Sequence, residues 1–315
     1  MMNRILVTEP EYFDREAISV LSKSGQVIAR RLDRGELARI IPKIDAIVVR
    51  VETHLDSELL RKAKKLKVIG SATTGLNHID MGHAKRLGIR VVNLHGTHTE
   101  STAEFTIALL LALTRKIPWA YSSLDRGEWK RYRFIGTDLY GKTLGILGLG
   151  RIGKRVARYA KAFGMEVIAY DPYVSSRSVK MVNSLGALLG RSDVITIHAM
   201  LTEETREMIS GKEFRLMKRR PFLINTARGD IVDQDALLAA LRSGRIRGAA
   251  EDVFPNEPIA DKRDRLLAYA RNNQNLIVTP HLGASTREAV HSAGIEIARK
   301  VSDALKTCPS RPVPS

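Results

Sequence analysis

Apolar residues along the first 95 positions fall into short continuous runs, "RILVT", "VIAR", "AIVVR", "KVIGSA" and "RVVNL". Between them lie amphipathic stretches such as "AISVLSKSG", "DSELLRKAKKL" and "DMGHAKRLG". Runs this short, without polar alternation, predict strands buried on both faces; the stretches between them predict covering helices. Strand and helix in regular alternation indicate a parallel open sheet. "THTEST" then caps a long apolar helix through "AEFTIALLLALTRKI", expected to run to Pro118. An irregular basic connector, "RGEWKRYRFIGTDLYG", leads to a second series: "TLGIL", a helix from Arg151 to Phe163, a strand ending at Asp171, "DVITIHAML", "FLINTARG", "ALLAALRSGRIRGAAEDVF" and "NLIVTPHLGAST". A final helix is predicted from Ser285 to about Leu305, its apolar stripe free to pack back on the first series.

Composition narrows the class without fixing the chemistry. A chain of 315 residues is long enough for two domains with separate cores. Its longest greasy run, "IALLLAL", is flanked by Glu104 and Arg115, which favours a buried helix over a membrane span. The first residues read as a strand and a turn, not as an export signal, and the lone Cys308 excludes an intrachain disulfide, so a reducing cytoplasm is expected. The formal net charge of +17 raises the question of nucleic acid. The excess is spread along the chain, however. Its densest runs, "RKAKKLK" and "MKRR", each precede an apolar strand, where a solvated helix end is the common reading. No zinc-finger spacing or aromatic RNA-binding signature accompanies them, so the charge is read as solubility and attraction of small anions, with no nucleic-acid partner expected.

The second series opens with the strongest local signal. "TLGILGLGRIGKRVARYAKAFGMEVIAYD" places Gly148, Gly150 and Gly153 between a strand and a helix, and Asp171 ends the next strand 18 positions past the last glycine. A bare G-x-G-x-x-G is weak evidence; this context makes it a dinucleotide fingerprint. Gly148 makes the turn, Gly150 admits a pyrophosphate and Gly153 lets helix meet strand, while Arg151 and Ile152 open a helix whose N–H groups face the phosphates. Asp171 accepts from a ribose and repels a 2′-phosphate, which favours NAD over NADP, although Arg177 and Lys180 lie close by in sequence. The expected fold is therefore two Rossmann-like or flavodoxin-like α/β domains: a substrate domain of residues 1–97 and 285–315, and an inserted NAD domain of residues 98–284.

A nicotinamide enzyme also needs an acid or base and a cation for its substrate. Three strand-end segments offer them: Arg228 in "NTARGD", Glu257 in "DVFPNEP" and His281 in "TPHLGAS". A lone arginine is more often a surface ion pair, and a lone histidine more often structural. Their place at strand ends behind a nucleotide fingerprint reverses both readings. Histidine moves protons near neutral pH, and a hydrogen-bonded carboxylate would favour its charged form. No metal-ligand spacing is present.

The order GLGRIG, YDP, NTARGDIVDQDAL, AAEDVFPNEP, TPHLGAST, together with "GLNHID" in the first half, resembles the D-isomer-specific 2-hydroxyacid dehydrogenase family over nearly the whole chain. The resemblance implies that Arg228 holds the substrate carboxylate and the oxygen on C2, that His281 is acid and base, and that Glu257 orients it. It implies cofactor positions at Thr74, His198, Ala199, Thr226, Ala227, Asp252, Gly283 and Ala284, besides Arg228 and His281 themselves. Substrate contacts are implied for Arg50 and for the Thr73–Thr74–Gly75 loop, with Arg131 as a weaker phosphate candidate. It further implies a cleft between the domains, a homodimer joined through the NAD domains, and 3-phosphoglycerate as the favoured substrate. The alternatives are a glyoxylate or hydroxypyruvate reductase and an NAD(H)-sensing corepressor. Four departures bear on substrate rather than chemistry: Asn77 for an acidic residue, His95 for a proline, "HAML" without its proline, and Glu251 where a leucine is expected. With one helix after the NAD segment, no regulatory domain and no feedback by serine are expected.

Overall fold

The computed structural model describes residues 2–259 and 263–308. The chain divides into two compact units, Met1–His98 with Ser285–Ser315, and Thr99–Ala284. His98 thus belongs to the first unit, and the end of the expected substrate domain, residues 309–315, lies outside the described residues.

In the first unit, β1 (Asn3–Val7), β2 (Gly25–Ala29), β3 (Ala46–Val49), β4 (Val68–Ser71) and β5 (Arg90–Asn93) form a parallel sheet in the order 2-1-3-4-5. Alternate side chains enter opposite cores. Ile5, Val7 and Val48 pack with the C-terminal helix Arg287–Thr307, whereas Leu6, Ile47, Val49 and Ile69 pack with Leu37, Leu59 and Leu60. Burial of both faces is why the strands read as unbroken apolar runs. Gly70 has no side chain because a Cβ there would sit 2.3 Å from Val301 on that closing helix.

The second unit carries β6 (Thr143–Leu147), β7 (Glu166–Tyr170), β8 (Lys180–Met181), β9 (Val194–Ile197), β10 (Phe222–Asn225), β11 (Gly248–Glu251) and β12 (Leu276–Val278), all parallel, in the order 12-11-10-9-6-7-8. Strand order reverses between β1 and β3 in the first sheet and between β6 and β9 in the second. Beyond the carboxyl ends of such strands open sheets bind ligands.

Several elements differ from the periodicity. The long helix spans Thr99–Thr114 and does not continue to Pro118; Lys116 turns left-handed at φ 56°, and Pro118 enters the first turn of a new helix, Ile117–Asp125. A proline lacking its N–H is tolerated there and not inside a helix. The helix Thr99–Thr114 packs on Arg151–Ala162 and on β10, so the basic connector lies inside the second unit. Within that connector Arg131–Phe134 forms one short 3₁₀ turn. The final helix starts at Arg287, where the Thr286 hydroxyl accepts from Ala289 N–H.

Candidate functional site

The glycine loop follows β6. Gly148 has φ 90°, and a Cβ on it would lie 2.6 Å from the backbone nitrogen of Ala199 and 2.7 Å from the carbonyl carbon of His198. The loop thereby rests on the peptide that follows β9, at the switch point of the sheet. His198 presents that peptide; its ring is buried, neither nitrogen has a partner among the described residues, and burial pushes its pKa down to about 3, so the imidazole is neutral. A Cβ on Gly153 would sit 2.3 Å from Gly148 O, which makes that glycine a packing requirement. Gly150 is different: a Cβ there meets nothing within 4 Å, so its bareness serves space and not packing. It caps the helix Arg151–Ala162, whose first N–H groups face that space. Across the loop, Asp171 Oδ2 accepts from Leu149 N–H at 2.8 Å, while Oδ1 takes the N–H groups of Tyr173 and Val174. An open cradle at a helix N-terminus, steadied by a carboxylate at the end of the second strand, fits a dinucleotide.

The ends of β10, β11 and β12 carry the candidate chemistry. Asn225 and Glu251 face each other in register, Asp252 N–H donates to Asn225 O, and His281 N–H donates to Asp252 O at 2.9 Å. Asp252 is wholly buried and accepts from Thr279 Oγ1 at 2.6 Å and from the N–H groups of Leu282 and Gly283 at 2.8 Å each. Burial pushes its carboxyl up despite these donors. His281 itself is left-handed at φ 55°, a conformation enriched for histidine among side-chain-bearing residues but still uncommon. Its Nδ1 lies 2.5 Å from Glu257 Oε2, and Glu257 Oε1 accepts from Phe254 N–H at 2.7 Å.

Arg228 follows the Asn225 turn. Its side chain is largely enclosed, with Nη1 donating to Ala227 O at 2.5 Å. Burial opposes its charge, whereas Glu257 and Asp230 support it. For Glu257, burial pushes the carboxyl up, but the His281 hydrogen bond and charge, the Phe254 N–H and Arg228 outweigh it and hold the group below the ordinary carboxylate range. One carboxylate therefore acts on both the arginine and the histidine. Gly229 makes this possible: a Cβ there would lie 2.2 Å from the Phe254 carbonyl carbon and 2.4 Å from Pro255 N. The arginine turn can lie against the Glu257 loop only because that residue is glycine.

Thr226 is anchored by its hydroxyl, 2.9 Å from Thr106 Oγ1, and Ala227 N–H donates to Asn225 Oδ1. Gly283 and Ala284 follow His281, with Gly283 buried against Asp252 and Thr102. In the first unit, Arg50 follows β3 at the other switch point. Its guanidinium stacks 4.1 Å over the Tyr12 ring, and Nη1 is buried with no partner among the described residues. Glu9, just beyond β1, fixes that turn by accepting from the N–H groups of Arg50 and Thr53. Thr73 is buried, bonded to Ser71 and to Gly75 O, while Thr74 is exposed with its carbonyl held by Asn93. Arg131 is exposed in the second unit, its guanidinium 5.3 Å from the centroid of the neighbouring Tyr132 ring. No cluster of metal-ligating side chains occurs among the described residues.

Sequence reasoning passed over Asn225, Thr279, Glu9 and Tyr12. Asn225 and Glu251 had a legible signal, since each is a polar residue closing an apolar strand. Glu9 and Tyr12 gave none, because their partners lie some forty residues away in the chain.

Residues 107–283 match the family model "D-isomer specific 2-hydroxyacid dehydrogenase, NAD binding domain". The chain is 45% identical over 311 residues to a D-3-phosphoglycerate dehydrogenase of Methanocaldococcus jannaschii, aligning 97% of this chain with 58% of that protein. The chain thus spans little more than half the length of that relative. It is 39% identical over 302 residues to a hydroxypyruvate reductase of Thermotoga maritima, covering 95% of this chain and 97% of the relative. Among solved structures, D-lactate dehydrogenase from Aquifex aeolicus, complexed with NAD and lactic acid, matches with a TM-score of 0.84 at 31% identity over 96% of both chains.

Proposed function

The chain belongs to the D-isomer-specific 2-hydroxyacid dehydrogenase family, with the NAD-binding domain of that family, and on this premise we propose that it interconverts a D-2-hydroxy acid and its 2-oxo acid, 3-phosphoglycerate and 3-phosphohydroxypyruvate being the favoured pair. NAD, when bound, accepts or supplies the hydride at C2. The observation that carries the reading is the Glu257–His281 contact of 2.5 Å beside Arg228. With Nδ1–H donated to Glu257, the other ring nitrogen, Nε2, is left to take the hydroxyl proton or return it. The depressed pKa of Glu257 keeps it ionised at neutral pH, so it both fixes the tautomer and stabilises the imidazolium formed in the oxidative direction. Arg228, with a planar fork of donors, pairs with the acid's carboxylate and polarises the C2 oxygen. Arg50, a buried cation at a switch point whose Nη1 finds no partner among the described residues, is proposed as a contact for a phosphate group. That assignment implies a place in serine biosynthesis.

A second reading, a hydroxypyruvate or glyoxylate reductase, is favoured by the Thermotoga relative, which matches along 97% of its length. Steady-state reduction of 3-phosphohydroxypyruvate, hydroxypyruvate, glyoxylate and pyruvate with NADH and NADPH separates the two. We expect NADH to be preferred and kcat/KM to be highest for the phosphorylated acid. A higher value for hydroxypyruvate or glyoxylate selects the reductase. Binding of NADH without turnover of any acid refutes an enzyme and favours an NAD(H)-sensing corepressor. In the same assay Arg228→Lys, a point charge for a fork, is expected to lose at least ~2 kcal/mol of transition-state stabilisation, and near-wild-type kcat/KM refutes its role.

A further inference from the structure

Glu251 closes β11 with its carboxyl group fully inside the protein, at a position where a hydrocarbon side chain would satisfy packing alone. It has one polar partner: Asn225 Nδ2 donates to Oε2 at 2.9 Å, and Oε1 finds no partner among the described residues. The same Nδ2 donates to Arg228 O at 3.1 Å, and Asn225 Oδ1 accepts from Ala227 N–H at 3.1 Å. Asn225 therefore ties both ends of the Ala227–Arg228 dipeptide. The Ala227 N–H can only donate and the Arg228 carbonyl can only accept, so these two groups fix which end of the amide faces which. Glu251 Oε2 accepts from the same Nδ2 and so holds the amide in that orientation from its other side.

We propose that Glu251 is a positioning residue: it pins Asn225, and Asn225 in turn holds the Ala227–Arg228 backbone in the orientation that aims the guanidinium at the substrate. The inference rests on the reading of Arg228 as the substrate anchor for its functional half, while its structural half stands on the hydrogen bonds alone. Burial supports it, since it raises the pKa of Glu251 to about 8 with Asp252 adding to the rise, and leaves a neutral acid that can accept from Asn225 without bringing a second charge beside Asp252. Glutamine keeps the accepting oxygen without the charge, and leucine removes the acceptor with little change in volume. The two substitutions separate hydrogen bonding from packing.

The test compares full-length wild type, Glu251→Gln and Glu251→Leu. On the protein without ligands, amide hydrogen exchange is measured at Ala227. Exchange is expected to accelerate by about tenfold or more in Glu251→Leu, the scale of one lost buried hydrogen bond, and to remain within about threefold in Glu251→Gln. With NADH and 3-phosphohydroxypyruvate, Glu251→Leu is expected to raise KM for the acid by about tenfold with kcat and the NADH dissociation constant near wild type, and Glu251→Gln to restore KM. Unchanged exchange at Ala227 in Glu251→Leu overturns the proposal whatever the kinetics. So does Glu251→Gln behaving like Glu251→Leu, or loss of NADH binding in step with the acid. Faster exchange together with no turnover of any acid by wild type leaves the pinning intact and refutes the enzymatic reading instead.

Discussion

Gly229 shows why the arginine of "LINTARGD" is followed by a glycine: the Phe254–Pro255 backbone occupies the space of its missing Cβ, and Glu257 is brought to Arg228 as a result. Two residues later the logic is electrostatic. One carboxylate serves a cation and an imidazole at once, and needs both to offset its own burial. Glu251 lies on the opposite side of this balance, since nothing near it offers a charge of opposite sign. Its folded pKa of about 8 stands above the ordinary glutamate value, so the sign of its linkage is fixed. Between about pH 4.5 and 8 the unfolded chain ionises this group and the folded chain does not, and stability falls as pH rises. Beyond about 8 both states are ionised and the loss levels off. Melting temperatures of wild type and Glu251→Gln should therefore diverge from pH 5 to pH 8 in favour of the variant and run parallel above. A constant difference across that range would show that Glu251 is ionised throughout.

At the scale of elements, three glycines in one loop do different work, and the distances separate them. Gly148 is left-handed and pressed against the His198–Ala199 peptide, Gly153 is pressed against Gly148 O, and Gly150 faces open space. Alanine at 148 or 153 is expected to destabilise by more than ~1 kcal/mol through strain and contact. Alanine at 150 should leave the melting temperature within about a degree while weakening NADH at least about tenfold, because the added methyl stands where a pyrophosphate would lie. Calorimetry and NADH fluorescence titration on the three variants check this, and unimpaired NADH binding by Gly150→Ala removes the cradle assignment. The same loop was the most legible part of the sequence, since strand, glycines, helix and acid are all local. Less was legible where distant residues decide. The break at Thr114–Ile117 was hidden because "LTRKIP" continues the apolar period, and only the left-handed Lys116 ends it. Short helices such as Arg34–Ile40 and Gly211–Leu216 escaped because seven and six residues are too few to display a helical period, and they are held by their Asp33 and Ser210 capping boxes. The order 2-1-3-4-5 of the first sheet likewise followed from no local pattern, though it sets Arg50 and Glu9 at a switch point.

At the scale of the whole molecule, the second unit bears a surface its own fold does not use. Tyr121, Trp129, Tyr132, Ile135 and Tyr140 lie within twenty residues of one another and are exposed by 71% to 81%. A lone exposed aromatic is ordinary, whereas four aromatics and an isoleucine exposed in one short segment argue for a partner. A second copy of the chain is the occupant we propose, through a two-fold interface in which the same patch meets itself. The segment also carries Arg126, Lys130, Arg131 and Arg133, with Glu128 paired to Lys130 and to Arg133. Two copies meeting here bring like charges together on bodies that each carry +17. Association driven by aromatic burial and opposed by that repulsion should tighten as salt screens the charge. Attraction of an anionic substrate should weaken under the same change. Sedimentation velocity at about 50 mM and about 500 mM salt is expected to show a dimer favoured at the higher value. Trp129→Asp with Ile135→Asp should give a monomer that still binds NADH, because neither residue belongs to the glycine loop or to the ends of β10, β11 and β12. A wild-type monomer at both salt concentrations, or a dimer unaffected by the double substitution, would assign the aromatic segment to another partner.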